Sequence, residues 1–188
     1  INDSITKEDK KELTDFINTD DVRFTQGKYV KQFEEEWSKW VGCKYSVYVN
    51  SGASANYIMA SMMKEKKGLG EVIVSPLGWV SDVAPLVNLG FTPVFVDVDM
   101  ENMSITLESI EEAVTPVFVD VGENMSITMD RIAEAVTDKT VGITLVHVLG
   151  FNAVNDEIVK FCKDNDLFFI EDCCEAHGAT YKGKRVGN

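Results

Sequence analysis

Short apolar runs alternate along the chain with segments whose apolar residues recur at helical spacing. The apolar runs are YSVYV (45–49), EVIVS (71–75), PVFVDV (93–98 and 116–121), VGITLVHV (141–148) and LFFIED (167–172). Continuous apolar strands that are separated by helices are typical of a parallel sheet covered on both faces. The pattern therefore predicts an α/β fold with a mostly parallel sheet and helices on both faces.

The segments between these runs predict the helices. They lie at 6–17, 54–66, 82–89, 107–114, 129–136 and 155–165, with a further helix that starts near Val30 and ends at Gly42. Thr6 and Asp9 are spaced as in a capping box at the start of the first helix. In the helix before Gly42, Trp37 and Trp40 lie on the apolar stripe, so we expect both tryptophans in the core.

One segment of the chain occurs twice. Residues 92–114 and 115–136, aligned with a one-residue gap, are identical at 17 positions, and each copy carries TPVFVDV and ENMSIT. A solenoid normally needs at least three repeats to bury a continuous core, so two copies do not predict a repeat protein. We interpret them as a local tandem copy inside an α/β domain, with one copy in the sheet and the other displaced.

Charge and cysteine content narrow the classes of function. Lys+Arg 18 against Asp+Glu 31 gives a net charge of −13, which makes nucleic acid and anionic membranes poor candidate partners. With no membrane-length apolar run and no signal peptide, we expect a cytoplasmic protein. The cysteines contain no C-x-x-C pair and the chain has only two histidines, so we expect reduced thiols and no metal site.

Three stretches follow predicted strands, at the edge where open α/β sheets bind their ligands. In NSGASAN (50–56), small residues and free helix amides can bind a phosphate, although a capped Ser-Gly turn is the simpler interpretation. In SPLGW, the ring of Trp79 can stack on a flat ligand, or can pack in the core or in a lid. Asp172 ends a strand, where its carboxylate can bind a metal, a ribose or a protonated ring nitrogen, or can simply be solvated.

Taken together, these stretches resemble the amino-terminal half of the DegT/DnrJ/StrS sugar aminotransferase family. The resemblance runs from TQGKYV and Phe33-Glu34 through NSGASAN, SPLGW, FTPVFVDVD and VHVLG to IEDCCEAHGA and YKGKRVGN. Members of the family are fold-type I enzymes that use pyridoxal 5'-phosphate (PLP) or its amine form. The resemblance thus implies a PLP-dependent transferase-like large domain, with PLP as the cofactor.

The resemblance also implies roles for individual residues. The backbone amides of Gly52, Ala53 and Ser54 would bind the cofactor phosphate, Trp79 would stack on the pyridine ring, and Asp172 would pair with the ring nitrogen. Glu175 stands where the family usually has a glutamine that contacts the phenolic oxygen of the ring. A carboxylate repels a phenolate, so this role requires a protonated or reoriented Glu175. For His177 we expect a packing role.

The family's Schiff-base lysine has no counterpart in the motifs of this chain. We therefore expect residues 1–188 to be a partial PLP-binding large domain, inactive alone and without the smaller carboxy-terminal domain, whose full-length form is a homodimer. The implied function is transfer of an amino group from an amino acid, typically glutamate, to a keto-sugar nucleotide. The alternatives are a PLP-dependent nucleotide-sugar 3-dehydratase of the same family, a non-catalytic fragment and an unrelated nucleotide-binding domain.

Overall fold

The helices begin and end close to the positions that the sequence predicts. The structure, a computed structural model, describes residues 4–96, 98–99, 104–105 and 137–188. The predicted capping box between Thr6 and Asp9 is present, and Gly42 ends its helix in the left-handed conformation. The helices predicted at 107–114 and 129–136 lie outside the described residues. The described α-helices are α1 (Lys7–Ile17), α2 (Lys28–Val41), α3 (Gly52–Lys67), α4 (Val80–Leu89) and α5 (Asp156–Asp164).

The longer strands form one parallel sheet. The described strands are β1 (Glu71–Val74), β2 (Thr92–Phe95), β3 (Val98–Asp99), β4 (Ser104–Ile105), β5 (Thr140–Val146), β6 (Phe168–Asp172), β7 (Thr180–Tyr181) and β8 (Lys184–Arg185). In the sheet the order is β2–β1–β5–β6, and every neighbouring pair is parallel. Strands β3 and β4, and likewise β7 and β8, form short antiparallel pairs. The predicted α/β class with a mostly parallel sheet is confirmed.

Helices cover both faces of this sheet because side chains alternate along each strand. Val72 and Val74 of β1 pack in one apolar cluster with residues of α3 and α4, whereas Ile73 packs in a second cluster with residues of α5. Helix α3 lies so close to β5 that a Cβ atom at Gly142 would approach the Met63 sulfur to 2.5 Å. The close contact of α3 with the sheet fixes the position of the loop that precedes this helix.

The predicted strand at 45–49 is wrong. These residues join no sheet, and the side chains of Tyr45 and Val47 are exposed. The Tyr48 N–H donates instead to Glu34 Oε1 of α2 at 2.8 Å. An apolar run becomes a strand only where a neighbouring strand offers backbone partners, and here a helix side chain takes one of those hydrogen bonds.

The expectation of buried tryptophans in α2 is also wrong. Trp37 is half-buried and Trp40 is 39% exposed. Their rings contact each other with centroids 5.0 Å apart, and the Arg185 guanidinium lies 4.3 Å from the centroid of Trp40. The His177 ring packs edge-on against Trp37 at 5.5 Å, which confirms its packing role. The apolar stripe of α2 thus forms an aromatic surface cluster rather than part of the core.

All four cysteines are free thiols, as expected. Burial raises the pKa of Cys162, inside the cluster beside α5, to about 11. Among the described helices, none combines the length and the apolar content that crossing a membrane requires.

Of the two copies of the repeat, the structure describes only part of the first. Its strand, β2, forms the edge of the sheet beside β1, with Thr92 opposite Glu71 and Phe95 opposite Val74. The second copy, residues 115–136, lies outside the described residues. The interpretation that one copy takes the sheet position while the other is displaced therefore stays a prediction.

Deletion of residues 115–136 should raise the free energy of unfolding, by about 1 kcal/mol. The deletion shortens the connection between β2 and β5 and removes a near-identical competitor for the position of β2. The measurement is chemical denaturation of the parent and the deletion variant under the same conditions. A deletion variant that unfolds at lower denaturant concentration would show that both copies are integral to the fold.

Candidate active site

The topology brings the three predicted stretches to one edge of the sheet, the one formed by the carboxyl ends of its parallel strands. Strands β1, β5 and β6 are parallel, so the loops that follow them leave at the same edge. The carboxyl end of α3 leads directly into the start of β1, which places the amino terminus of α3 at that edge too. A hydrogen bond from Asn56 of α3 to Asp172 at the end of β6 confirms this placement.

The amino terminus of α3 can bind an anion. Ser51 caps the helix, with its Oγ accepting the Ser54 N–H at 3.2 Å, and Ser54 Oγ donates to Asn50 Oδ1 at 2.7 Å. The amides of Gly52 and Ala53, in the first turn, have no acceptor within the helix. A Cβ atom at Gly52 would meet nothing within 4 Å, so a ligand can approach the backbone there. The turn fits a phosphate through Gly52 and Ala53, whereas the Ser54 amide is already bonded.

Trp79 presents its ring to solvent at the start of α4. The residue is 70% exposed and precedes the first helical residue, Val80. Its backbone N–H donates to Asp82 Oδ2 at 2.9 Å, which fixes the loop at the start of the helix. The core alternative for this side chain is therefore wrong, and the ring is available to stack on a flat ligand.

Asp172 is the last residue of β6, and its carboxylate is held ionised. Oδ1 accepts the Cys174 N–H at 2.9 Å, and Oδ2 lies 3.4 Å from Asn56 Nδ2. Burial by itself would raise the pKa of this carboxyl group. The hydrogen bonds from Cys174, Asn56 and Asp82 together outweigh burial and lower that pKa below its ordinary value. Asp172 therefore presents a fixed negative charge.

Two buried residues that the sequence did not single out connect these groups. Asn56 Nδ2 donates to Asp82 Oδ1 at 2.8 Å, and the other oxygen of Asp82 accepts the Trp79 N–H. The amide of Asn56 also reaches Asp172, so a single side chain joins α3, α4 and β6. The sequence indicates the two residues only weakly, because Asn56 belongs to NSGASAN and Asp82 lies in the first turn of α4. Neither position predicts that the two side chains meet.

Glu175 has a partner of its own at this edge. Its Oε2 accepts the Leu149 N–H at 2.7 Å, in the turn that follows β5. Leu149 has a φ of 53°, a conformation that non-glycine residues rarely adopt, and the hydrogen bond helps to hold it. The carboxylate thus supports the loop, and its predicted contact with the cofactor ring stays a prediction.

A His–Glu–Cys cluster lies beside Asp172 but does not fit a metal ion. The side-chain ligand atoms of His147, Glu171 and Cys173 lie within 4.8 Å of one another. His147 Nδ1 accepts the Ala153 N–H, so Nε2 carries the proton and donates to Glu171 at 2.7 Å. Burial, with the charges of Glu171 and Asp172, raises the pKa of Cys173 to about 12. The Nε2 proton faces Glu171, so in this geometry the two side chains form a hydrogen-bonded His–Glu pair and neither nitrogen of His147 is free for a metal.

A large cavity lies next to the turn that precedes α3. Its volume is about 960 Å³, and Asn50, which bonds to Ser54, forms part of its wall. The cavity contains none of the predicted site residues, but it adjoins the loop before α3. Aromatic and cationic side chains also line it, among them Arg23, Phe24, Lys28, Tyr29 and Tyr48.

Known proteins with related sequences include two kinds of enzyme that are named for GDP-linked sugars. The chain is 35% identical over 174 residues to GDP-4-keto-6-deoxy-D-mannose 3-dehydratase of Escherichia coli O55:H7, covering 89% of this chain and 39% of that protein. It is 29% identical to GDP-perosamine synthase of Escherichia coli O157:H7, covering 98% of this chain and 44% of the synthase. The chain thus spans about two fifths of the length of the curated relatives that it matches.

Solved structures share the fold as well. The E. coli GDP-4-keto-6-deoxy-D-mannose-3-dehydratase with bound hydrated PLP matches with a TM-score of 0.78 and 32% identity, over 100% of this chain and 43% of that chain. The aminotransferase from Psychrobacter cryohalolentis also matches with a TM-score of 0.78 and 32% identity, over 98% and 41%. The DegT/DnrJ/EryC1/StrS aminotransferase family model matches residues 3–117 and 114–188. Since these two matches cover nearly the whole sequence, the chain belongs to the DegT/DnrJ/EryC1/StrS aminotransferase family.

Proposed function

We propose that the whole protein binds PLP, or its amine form, at this site and uses it to transfer an amino group from an amino acid to a keto-sugar nucleotide. The observation that supports the proposal is the convergence of three different groups on one edge of the sheet. They are the free amides of Gly52 and Ala53, the exposed ring of Trp79 and the ionised carboxylate of Asp172. A phosphate, a flat ring and a protonated ring nitrogen are the partners that these groups suit.

Each group has a distinct task in this proposal. When bound, PLP supplies an electron sink that is deepest while its ring nitrogen is protonated. The carboxylate of Asp172 favours the proton on that nitrogen, because a negative charge nearby stabilises the protonated form. The α3 amides bind the phosphate with help from the helix dipole, and Trp79 orients the ring. Asp172 acts electrostatically here and is not a general base.

The cavity beside α3 suits the nucleotide part of the substrate. Its volume of about 960 Å³ lies at the upper end of the usual range for ligand pockets. Tyr48 offers a flat surface for a base. Arg23 offers positive charge for a diphosphate, as does Lys28, whose ammonium lies 5.0 Å from the centroid of the Tyr29 ring. Its wall at Asn50 adjoins the turn proposed for the cofactor phosphate, so a sugar attached to the nucleotide can extend toward the cofactor.

The second candidate is removal of the 3-hydroxyl group from the same class of substrate. One observation favours it: two GDP-4-keto-6-deoxy-D-mannose 3-dehydratases are 35% and 34% identical to this chain, whereas two GDP-perosamine synthases are 29% and 27% identical. Both reactions use the cofactor groups described above. The proposal for the cofactor site therefore does not depend on which of the two reactions the protein catalyses.

Titration of the whole protein with PLP tests the cofactor proposal. PLP should quench the tryptophan fluorescence, because Trp79 stacks on the ring, and Trp79→Phe should remove most of the quenching. Trp40→Phe is the matched control, since Trp40 lies in the aromatic cluster on α2 and should leave the Trp79 signal intact. Equal quenching in wild type and Trp79→Phe would contradict the proposed position of the ring. The absence of PLP binding would contradict the cofactor proposal and favour a non-catalytic role.

Isotope labelling distinguishes the two reactions. The PLP-loaded protein is incubated with ¹⁵N-glutamate and GDP-4-keto-6-deoxymannose, and the sugar product is analysed by mass spectrometry. Amino transfer should place ¹⁵N on the sugar in place of the keto oxygen, with 2-oxoglutarate as the second product. A sugar that loses its 3-hydroxyl group without gaining ¹⁵N would overturn amino transfer in favour of the dehydratase.

A further inference from the structure

The side-chain amide of Asn56 is the junction of the site. Its Nδ2 atom lies 2.8 Å from Asp82 Oδ1, 3.2 Å from the Ser81 carbonyl oxygen and 3.4 Å from Asp172 Oδ2. Two amide hydrogens are thus shared among three acceptors. None of the acceptors belongs to α3: two lie on α4 and one lies at the end of β6. Asn56 is buried, so these contacts replace those it would make with water.

Asp82 has three partners in the same network. Its Oδ1 accepts from Asn56 and its Oδ2 accepts the Trp79 N–H at 2.9 Å. The buried carboxyl group is also hydrogen-bonded to Asp172. The narrow gap that Asn56, Asp82 and Thr144 line has no room for a water molecule. Because water cannot substitute there, the geometry of Asp82 depends on Asn56, and the geometry of the Trp79 loop depends on Asp82.

Two carboxyl groups therefore face one neutral amide. Burial raises the pKa of Asp82 to about 6, against the lowering effect of the Trp79 N–H, and the charge of Asp172 raises it further. The pKa of Asp172 is shifted in the opposite direction, downward. When Asp82 and Asp172 hold one proton between them, the proton resides on Asp82 and Asp172 keeps its negative charge.

We propose that Asn56 and Asp82 are positioning residues for the cofactor ring. Asn56 orients the Asp172 carboxylate, and Asp82 holds the Trp79 loop to the same amide, so the stacking surface and the charge face one ligand in a fixed relation. This inference rests on the proposed function, because it assigns the two residues to the proposed PLP site. The two residues do not contact the ligand in this proposal; they hold the residues that do.

Exchanging the side chains of Asn56 and Asp82 tests whether these residues position Asp172 or merely pack α3 against α4. In the double variant Asn56→Asp with Asp82→Asn, the amide at position 82 can accept the Trp79 N–H and donate to the carboxylate at position 56. The hydrogen bond between positions 56 and 82 is then restored with reversed polarity, whereas the hydrogen bond to the Ser81 carbonyl oxygen is lost. Asp172, however, faces a carboxylate in place of the Asn56 amide and loses that donor.

The exchange variant should therefore keep the hydrogen bond between positions 56 and 82 and still bind PLP poorly. We expect its affinity for PLP, and that of Asn56→Leu, to fall about tenfold to hundredfold, the effect of losing a hydrogen bond to a charged group. Asn165→Leu is the matched control, because the side-chain amide of Asn165 donates to the Phe161 carbonyl oxygen at the end of α5. An exchange variant that binds PLP as tightly as wild type would overturn the positioning role.

A carboxyl titration by ¹³C NMR, on the protein without PLP, tests the network independently of the cofactor. The titratable groups around the amide are Asp82 of α4 and Asp172 at the end of β6. Cys174, which donates to Asp172, and Glu175 beside it lie in the turn that follows. Asn56→Leu and the exchange variant should each raise the titration midpoint of Asp172, and Asn165→Leu should not. An unchanged midpoint in Asn56→Leu would overturn the inference. If wild type shows the network but binds no PLP, the proposed function fails and the assignment to a cofactor fails with it.

Discussion

Asp172→Asn should lower the turnover of the PLP-loaded whole protein at least about a hundredfold, the scale of losing a group that stabilises charge in a reaction site. An amide carries no negative charge, so it cannot favour the proton on the ring nitrogen. The fold should persist, because the amide oxygen can still accept the Cys174 N–H at the position of Oδ1. Stability should fall by about 1–3 kcal/mol, because the new amide NH2 group at the position of Oδ2 faces the Asn56 amide and cannot accept from it.

The measurement is turnover with the substrate on which the wild type is active, together with the melting temperature. Asp164→Asn is the matched control, since it removes one carboxylate from an exposed i,i+4 pair with Lys160. It should leave turnover within about twofold of wild type, as expected for a surface substitution. Unchanged turnover in Asp172→Asn would remove Asp172 from the catalytic assignment.

The free energy of unfolding should fall as the pH rises from about 4 to about 7, because of Asp82. Its pKa is about 6 in the folded protein against an ordinary value of 3.8, so between these values the folded state binds more protons than the unfolded state. Stability then decreases with rising pH, and a difference of about two pKa units corresponds to up to about 3 kcal/mol. Asp172 acts in a separate window: its lowered pKa contributes stability that is lost only as the pH falls below about 3.8.

Denaturation with urea at a series of pH values, in low salt, measures this slope. Asp82→Asn should flatten the profile between pH 4 and 7, because the group that takes up the proton is gone. Asp164→Asn should retain the wild-type slope, since that carboxylate is exposed and paired within α5. Equal slopes in wild type and Asp82→Asn would mean that Asp82 is not the titrating group.

The local features of the fold were readable in the sequence. Thr6 with Asp9 marks the start of α1, and Gly42 marks the end of α2, because caps satisfy backbone groups through residues that are close in sequence. Uninterrupted apolar strands between helices predicted a parallel sheet, and a parallel sheet brings its loops to one edge. Trp79 and Asp172 could therefore be placed at the same edge without any structure.

Only the tertiary structure decided which side chains meet at that edge. Asn56 and Asp82 are 26 positions apart, and their hydrogen bond depends on how α3 and α4 pack on the sheet. In the sequence, one resembles an ordinary polar helix residue and the other an ordinary first-turn acid. Their importance comes from burial, which makes each the main partner of the other and shifts the pKa of Asp82.

The incorrect predictions have the same physical origin. The run at 45–49 has the apolar pattern of a strand, but a strand also needs a neighbouring strand, and the Tyr48 amide is bonded to Glu34 of α2 instead. Trp40 lies on the apolar stripe of α2, yet its ring contacts Arg185, near the other end of the chain, and stays partly exposed. Residue type and spacing determined the elements and the chemistry available, whereas contacts between distant segments decided burial, pairing and charge.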